Sequence, residues 1–424
     1  MTRLATQRPA VGPRAALRRR AIHLLALAGV LACALPAAAA AQAQDAPKGI
    51  GAPSAIVVEA SSGDMLWGRA ADKRRPIAST TKLMTALLTL EHSPRLGERI
   101  PAANYVALPV ESKLGLRPGE RLSIADLLRG LMLESANDAA VTLAEHLGGS
   151  RPAFVRMMNR RARRLGLTHT HYANPIGLDA PGNYSSARDL ARLAVQVREH
   201  SFIRRIANRT EVTLSTGARP RKVENRNTLL ERDKWVNGLK TGHTLGAGYV
   251  LVGSRTRRGV TMVSVVLGTP SVAARNADAY RLLTWGARHY HRVRPVAAGE
   301  LVASPGIRYR RGAQLDLVTD GSVARVVRVG TKITTRDVGV PGEVTGPVRR
   351  GAELGRREVF ADGELVAVVP VVASASVPVA GPAQKTKDWF TKPLALLVAV
   401  LVLGGTVFVG RRLRRPPRRA GPGP

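Results

Sequence analysis

The chain has 424 residues, of which 45% are hydrophobic and 22% charged, so it can hold one large domain and a smaller one and is not a wholly disordered protein. Its 65 lysines and arginines outnumber 30 acidic residues, and the net charge of +35 favours an anionic surface or polymer as a partner. The single cysteine, Cys33, lies in the N-terminal apolar run and excludes internal disulfides and cysteine metal sites. Neither zinc-finger spacing nor an aromatic-studded basic stretch supports nucleic-acid binding.

The first 43 residues have the features of a signal peptide. A basic stretch ending at Arg20 precedes an apolar run from Ala21 to Leu35, which Pro36 interrupts. Ala41-Gln42-Ala43 then has the small-x-small form that signal peptidases accept. A transmembrane anchor is the alternative, but the run is short for a span. We therefore expect export and a mature chain that begins near residue 44.

Residues 393–410 form an apolar, uncharged run whose length is near the lower limit for a membrane-spanning helix. Residues 381–392 before it form a short polar linker, and the tail 411–424 after it contains six arginines. The positive-inside rule predicts a single-pass anchor in the cell membrane, with a cytoplasmic tail and with residues 44–390 on the extracytoplasmic side. A buried core helix is the alternative.

Hydrophobic periodicity divides the remaining chain into two regions. In chain order, the first region contains a hairpin of strands 54–60 and 64–70, helices 79–90, 123–130 (with Ser123 as N-cap), 138–147 and 153–165, strands 236–241, 248–254 and 261–268, and a helix 274–290. This order predicts one α+β domain at 44–292, an antiparallel sheet flanked by helices. Residues 295–380 have no helical stripe, many valines and regular glycines, which predicts a small β-sandwich domain.

Three short motifs lie in the first domain. They are Ser79-Thr80-Thr81-Lys82, Ser135-Ala136-Asn137 and Lys240-Thr241-Gly242, and each pattern occurs once in the chain. Each is weak alone, because it could equally be a helix cap, a solvated lysine or a strand end. Their joint occurrence in fitting elements of one domain is typical of serine acyl-transfer enzymes.

The spacing of the first motif suits a nucleophile and its base. Ser79 and Lys82 are three residues apart at a predicted helix start, so their side chains share one face. A serine hydroxyl needs a base within hydrogen-bond reach, and a lysine serves when burial and a nearby positive charge lower its pKa. Lys240 would supply that charge.

The other two motifs suit proton transfer and substrate binding. Ser135 is a candidate proton relay, and Asn137 can hydrogen-bond a substrate amide. Lys240 and Thr241 on a predicted strand can bind a terminal carboxylate, and Gly242 permits close approach of a substrate backbone. His169 and His171 form a His-x-His pair without a third ligand at suitable spacing, so no metal site and no cofactor are predicted.

Four longer segments resemble the serine D-alanyl-D-alanine carboxypeptidases among the low-molecular-mass penicillin-binding proteins, peptidase family S11. They are 76–86 (PIASTTKLMTA), 172–190 (YANPIGLDAPGNYSSARDL), 225–230 (NRNTLL) and 238–254 (GLKTGHTLGAGYVLVGS). The resemblance is close over about 50–290 and looser over 295–380. It implies a β-lactamase/transpeptidase-like domain followed by the family's C-terminal β-domain.

The resemblance also implies roles for the motif residues. Ser79 would be the acyl-ester nucleophile, Lys82 the general base and Ser135 a proton shuttle. Asn137 would position the substrate, Lys240 and Thr241 would bind the terminal D-Ala carboxylate, and the backbone N–H of His243, after Gly242, would be an oxyanion donor. The substrate would be a peptidoglycan stem peptide ending in D-Ala-D-Ala, and β-lactams would acylate the same serine.

The same residues bear on three alternative functions. A class A-like β-lactamase is disfavoured, because the middle motif is Ser135-Ala136-Asn137 and no glutamate occurs between Ser150 and Glu199 to activate a deacylating water. A D,D-endopeptidase of peptidoglycan cross-links and a non-catalytic penicillin-binding envelope protein stay open. Charge-driven binding of anionic wall polymers could coexist with catalysis.

Overall fold

A computed structural model describes residues 46–390 and 393–413, with side chains given for 46–386 and 397–409. The signal peptide predicted at 1–43 and the tail beyond Leu413 lie outside the described residues, so both stay predictions. The chain divides into two compact units. The first runs to Arg257 and resumes at Thr261–Arg288, and the second contains Arg258–Val260 and the chain from His289.

The first unit is built from nine strands and eight helices among the described residues. Its strands are β1 (Ser54–Glu59), β2 (Met65–Arg69), β3 (Arg99–Pro101), β4 (Arg121–Ser123), β5 (Glu211–Leu214), β6 (Arg221–Glu224), β7 (Val236–Thr244), β8 (Gly248–Arg257) and β9 (Val260–Thr269). Its helices are α1 (Lys82–His92), α2 (Ile124–Met132), α3 (Asn137–Gly148), α4 (Arg151–Arg164), α5 (Ala187–Glu199), α6 (Ser201–Ile206), α7 (Leu229–Arg232) and α8 (Val272–Gly286).

A five-stranded sheet in the order β2-β1-β9-β8-β7 is the frame of this unit. The predicted β1–β2 hairpin is confirmed as an antiparallel pair. The three consecutive strands predicted between 236 and 268 are present as β7, β8 and β9, and β7 pairs with β8 in the antiparallel direction. In β9 Val263, Val265 and Leu267 are buried on one face, and Met262 and Val266 on the other, because helices cover both faces. Strand β7 lies at the edge of this sheet, a position at which an extended chain can add as a further strand.

The helices follow the predicted apolar periodicity, with one difference at the first. Leu83, Leu87 and Leu88 of α1 are buried as the stripe predicts, and the Ser123 hydroxyl accepts the Asp126 N–H at 3.1 Å, which confirms the predicted N-cap. Residues 79–81, expected to be α-helical, instead belong to a 3₁₀ turn at Ala78–Thr81. Ala78 there has a φ of 46°, which an α-helix excludes, so the helix starts only at Lys82.

The C-terminal boundary of this unit also differs from expectation. The last helix, predicted to reach residue 290, ends at Gly286, because Tyr290–Val296 extends as strand β10 and pairs with β14 (Val323–Arg328).

As far as Ala373, the regular elements of the second unit are strands, as predicted for 295–380. After β10 they are β11 (Leu301–Ala303), β12 (Gly306–Ile307), β13 (Leu317–Thr319), β14, β15 (Ile333–Val338), β16 (Glu343–Val344), β17 (Glu353–Ala361) and β18 (Glu364–Ala373). They form a five-stranded sheet in the order β11-β13-β18-β17-β15 and the two-stranded sheets β10-β14 and β12-β16. The two-stranded sheets contribute Val296, Val323 and Val344 to apolar clusters shared with β17 and β18.

The C-terminal segment departs from two expectations. The predicted polar linker contains a helix, α9 (Pro382–Phe390), and α10 (Pro393–Leu413) follows it. Among the residues described, no helix combines the length and the apolar character that crossing a membrane requires. The transmembrane helix predicted at 393–410 is therefore not confirmed.

Candidate active site

Ser79 lies on a strained turn at the N-terminal end of α1. The 3₁₀ turn 78–81 places it directly after Ala78, whose positive φ is rare for a residue with a side chain. Ser79 is partly exposed, whereas both its neighbours Ala78 and Thr80 are buried. The turn therefore exposes the Ser79 hydroxyl and buries its other side chains.

The Lys82 amine is buried beside this hydroxyl. Its Nζ donates to Ser79 Oγ at 2.8 Å and to the backbone oxygen of Ile176 at 2.7 Å. Complete burial, and next the charge of Lys240, hold the pKa of Lys82 well below its usual range, while Glu111 and Asp138 oppose this effect. The expected pairing of serine and lysine is thus present, with a lowered lysine pKa.

The middle motif joins α2 to α3. Ser135 is buried with a φ of 67°, and its hydroxyl has no hydrogen-bond partner among the described residues. Asn137 is the first residue of α3, and its Nδ2 donates to Glu111 Oε2 at 2.6 Å. No hydrogen bond between described residues joins Ser135 to Ser79 or Lys82, so its relay role stays a prediction.

Strand β7 brings a cationic corner to the cleft. Lys240 is 1% exposed, and burial first, then the charges of Arg275 and Arg226, lower its pKa to about 7, against the opposing charge of Glu134. Arg275 on α8 is 4% exposed and forms no ion pair with any described residue. A buried cation without a counter-ion is costly, and an anionic ligand would relieve that cost. Thr241 is also buried here, and its carbonyl accepts the Lys240 amine at 3.1 Å.

Gly242 and His243 follow Thr241 in β7, and Gly242 lies beside the nucleophile turn. A Cβ on Gly242 would lie 2.8 Å from the Ser79 nitrogen and 2.9 Å from the Ala78 Cβ. Gly242 thus lies against the backbone of the nucleophile turn, a contact that was not predicted from the sequence, and the predicted approach of a substrate backbone stays a prediction. The exposed His243 ring stacks on Tyr249 with centroids 4.0 Å apart, so its side chain is occupied by packing.

A loop at 174–183 closes the other side of the turn. Thr85 of α1 donates to the Pro175 oxygen at 2.8 Å, and the next carbonyl along, that of Ile176, accepts the Lys82 amine. Gly177 has a φ of 92°, and a Cβ there would lie 2.0 Å from the Ala78 oxygen. Backbone contact therefore fixes both the nucleophile turn and the position of the lysine amine.

Sequence reasoning did not single out Glu111, Arg275 or the Ile176 carbonyl. Arg275 is one of many arginines in the chain, and nothing in its local pattern marks it as buried. Glu111 lies in an irregular segment without periodicity, and a carbonyl has no residue signature. Only the tertiary fold brings these groups to the three motifs.

Comparison with known proteins agrees with this site. Residues 39–271 match the family described as D-alanyl-D-alanine carboxypeptidase. The chain is 28% identical over 337 residues to D-alanyl-D-alanine carboxypeptidase DacF of Bacillus subtilis, covering 78% of this chain and 87% of the relative. It is 35% identical to DacA of Escherichia coli over 286 residues, which cover 65% of this chain and 70% of the relative.

Solved structures are similar as well. Penicillin binding protein 5 of Haemophilus influenzae superposes with a TM-score of 0.57 at 29% identity, covering 78% of this chain and 99% of that one. The DD-transpeptidase of Streptomyces K15 gives a TM-score of 0.54 at 32% identity and covers 57% of this chain and 99% of its own. Because the family match covers more than half of this chain, the chain belongs to the D-alanyl-D-alanine carboxypeptidase family, the S11 serine peptidases.

Proposed function

We propose that this protein is a serine D-alanyl-D-alanine carboxypeptidase that removes the terminal D-Ala from peptidoglycan stem pentapeptides through an acyl-enzyme on Ser79. The observation that carries this proposal is the 2.8 Å contact between Ser79 Oγ and the buried Lys82 amine. The names of the relatives, D-alanyl-D-alanine carboxypeptidases, support the same substrate.

In the acylation step, Ser79 Oγ attacks the carbonyl carbon between the two D-alanines and its proton passes to Lys82. A lysine at its ordinary pKa would be protonated and could not accept it; burial and the charge of Lys240 favour the neutral amine. The backbone N–H groups of Ser79 and His243 are the proposed oxyanion donors. Ser135 is the proposed relay that carries the proton to the leaving D-Ala nitrogen.

The cationic corner supplies specificity for a chain end. The terminal carboxylate would be bound by Lys240 and Thr241, and the buried Arg275, which forms no ion pair with a described residue, gives it a second positive charge. Edge strand β7 can pair with the extended substrate backbone, and Asn137 would hold the substrate amide. Water then hydrolyses the acyl-enzyme, and a β-lactam, which also carries a carboxylate, would acylate Ser79 in the same way.

The experiment compares the wild type with Ser79→Ala, and with Ser201→Ala as an exposed control at the start of α6. Each is incubated with a stem pentapeptide ending in D-Ala-D-Ala, and free D-alanine is assayed. We expect release by the wild type and the control and none by Ser79→Ala. Labelling by penicillin without D-alanine release would instead indicate an endopeptidase or a non-catalytic penicillin-binding protein, and no labelling would contradict the enzymatic function.

We also propose that the first unit acts on the extracytoplasmic side of the cell membrane. The basic and apolar N-terminal segment with its small-x-small site supports export. Protease added to cells whose outer layers are permeabilised should digest the protein while a cytoplasmic marker stays intact. Protection equal to that of the marker would contradict this location, and carbonate extraction of the membranes would tell whether the protein is anchored.

Binding to anionic wall polymers is a further part of the proposal. Four exposed arginines of α4, Arg156, Arg160, Arg163 and Arg164, form no ion pair with a described residue, and the chain carries a net charge of +35. We expect salt-sensitive retention on isolated cell walls that reversal of these four charges weakens. Retention unaffected by salt or by the reversal would contradict it.

A further inference from the structure

Glu111 lies at the active site without a role in the three motifs. It belongs to the segment between β3 and β4, and Asn137 at the start of α3 donates to its Oε2 at 2.6 Å. The same segment is fastened to α3 by its backbone, because the Asn137 N–H donates to the Ser112 oxygen at 2.8 Å. Asp138 holds it further by accepting the N–H groups of Leu114 at 3.0 Å and Leu116 at 3.1 Å.

Both oxygens of the Glu111 carboxylate are occupied by donors. Oε2 also accepts the Tyr105 hydroxyl at 2.5 Å, and Oε1 accepts the Leu108 N–H at 3.2 Å. Burial alone would raise the pKa of Glu111, but the hydrogen bonds from Tyr105, Asn137 and Leu108 outweigh it and lower the pKa. A carboxylate that accepts three hydrogen bonds and has a lowered pKa is a poor base for water.

The ionised carboxylate determines which way the Asn137 amide faces. A carboxylate only accepts hydrogen bonds, so the amide nitrogen of Asn137 must face Glu111 and the amide oxygen must face away. The amide would otherwise have two orientations that differ by the exchange of its oxygen and nitrogen. One orientation is therefore fixed before substrate binds.

Glu111 also acts electrostatically on the catalytic lysine. The charged groups around the Lys82 amine are Lys240 on β7, Glu111 on its loop and Asp138 on α3. The charge of Glu111 has the larger effect of the two acids and favours the protonated amine, against burial and Lys240. The groups that act on Glu111 are Tyr105, Asn137 and Lys82. The Arg151 guanidinium lies over the Tyr105 ring, 5.5 Å from its centroid.

We propose that Glu111 is a positioning residue of this site, whose carboxylate fixes the orientation of the Asn137 amide and holds a negative charge within electrostatic reach of Lys82. The proposal rests on the carboxypeptidase function proposed above. It separates two effects, the hydrogen bond to Asn137 and the charge felt by Lys82, which different substitutions remove.

Glu111→Gln removes the charge and keeps the main acceptor, because the glutamine oxygen can still accept from Asn137 and Tyr105, and only the 3.2 Å hydrogen bond from the Leu108 N–H loses its acceptor. We expect kcat/KM for the pentapeptide to stay within a few fold of the wild type, and the acidic limb of its pH profile to move to lower pH, because Lys82 loses a charge that favours its protonated form. Glu98→Gln, the same change at an exposed carboxylate, should leave the profile unmoved. NMR titration of labelled Lys82 should show the same downward shift of its pKa without relying on turnover.

Comparing Glu111→Ala with Glu111→Gln isolates the hydrogen bond to Asn137, because both substitutions remove the charge and only alanine removes the acceptor. Loss of a short, charge-assisted hydrogen bond should lower the rate constant of Ser79 acylation by penicillin by about ten- to a hundredfold. At a pH above the acidic limb, where Lys82 is neutral in every variant, the double variant should be little worse than Asn137→Ala, because there Glu111 acts only through Asn137.

Three outcomes would overturn the proposal while the wild type remains active. The first is an acidic limb of the pH profile that does not move in Glu111→Gln. The second is a double variant whose loss in acylation rate equals the sum of the two single losses in free energy. The third is a Glu111→Gln enzyme that is acylated normally but accumulates acyl-enzyme, which would make Glu111 a deacylation base. A wild type that neither releases D-alanine nor reacts with penicillin would refute the carboxypeptidase function itself, and the Lys82 titration would still decide the coupling to Glu111.

Discussion

The two buried lysine amines, those of Lys82 and Lys240, are suited to different roles because their surroundings differ. Lys82 lies against the nucleophile and a carbonyl, and burial favours its neutral form. Lys240 lies in the corner with Arg275 and Arg226, where a substrate carboxylate would restore its charge. One amine is thus suited to accept a proton and the other to hold an anion, and the charge of Lys240 lowers the pKa of Lys82.

The pH dependence of substrate binding should follow Lys240. With a pKa of about 7 in the free enzyme, Lys240 loses its charge as the pH rises through neutrality, so binding of a carboxylate substrate weakens on the alkaline side. Lys240→Arg keeps the charge at any accessible pH and should flatten this decline. The measurement is kcat/KM against pH for the pentapeptide and for its C-terminal amide.

The amide substrate provides the control for this prediction. It lacks the carboxylate, so its kcat/KM should be low and should show no alkaline decline attributable to Lys240. An equal decline for both substrates, or an unchanged decline in Lys240→Arg, would show that another group titrates.

At the scale of elements, the site is held by backbone contacts between irregular segments. The turn 78–81 lies between Gly242 of β7 and Gly177 of the 174–183 loop, and neither glycine leaves room for a side chain. The loop carries the Ile176 carbonyl that binds Lys82. Any displacement of the loop therefore moves the base as well as the nucleophile.

Gly177→Ala should disturb this arrangement. Its Cβ would lie 2.0 Å from the Ala78 oxygen at a φ of 92°, so the loop must shift and carry the Ile176 carbonyl with it. We expect a loss of about 2–4 kcal/mol in the free energy of unfolding, and slower acylation by penicillin in the folded fraction. Gly63→Ala, which has a similar φ of 72° but no atom within 4 Å, should cost only about 1 kcal/mol. Equal effects of the two substitutions would show that steric contact at Gly177 is unimportant.

Elements with strong periodicity were predictable from sequence, and contacts between irregular segments were not. The stripe of Leu83, Leu87 and Leu88 indicated α1, and the alternation around Ser61-Ser62-Gly63 indicated the β1–β2 hairpin. Short pairs such as β3–β4 carry too few residues for a pattern, and helix α5 was not predicted although its apolar stripe is regular. The Ser79–Lys82 contact follows from spacing alone, whereas Glu111 reaches Asn137 across 26 positions of sequence.

At the scale of the whole molecule, each unit has its own apolar core. The large cluster of the first unit draws its residues from between Ile56 and Leu267, and the clusters of the second unit lie between Val296 and Val377. A unit that buries its own core can fold alone. The structure of the Streptomyces K15 enzyme supports this view, because 99% of that chain aligns with only 57% of this one.

A segment of residues 44–288 should therefore fold and react. We expect one cooperative unfolding transition, because the nucleophile turn, the 174–183 loop, β7 and α8 are all retained with the cluster that supports them. Labelled penicillin should acylate the segment at a rate within a few fold of the full chain, and Ser79→Ala in the same segment should abolish labelling. A segment that unfolds without cooperativity would show that the second unit is needed for the fold. A folded segment that penicillin fails to label would show instead that the second unit supports the active site, a role that its separate core does not predict.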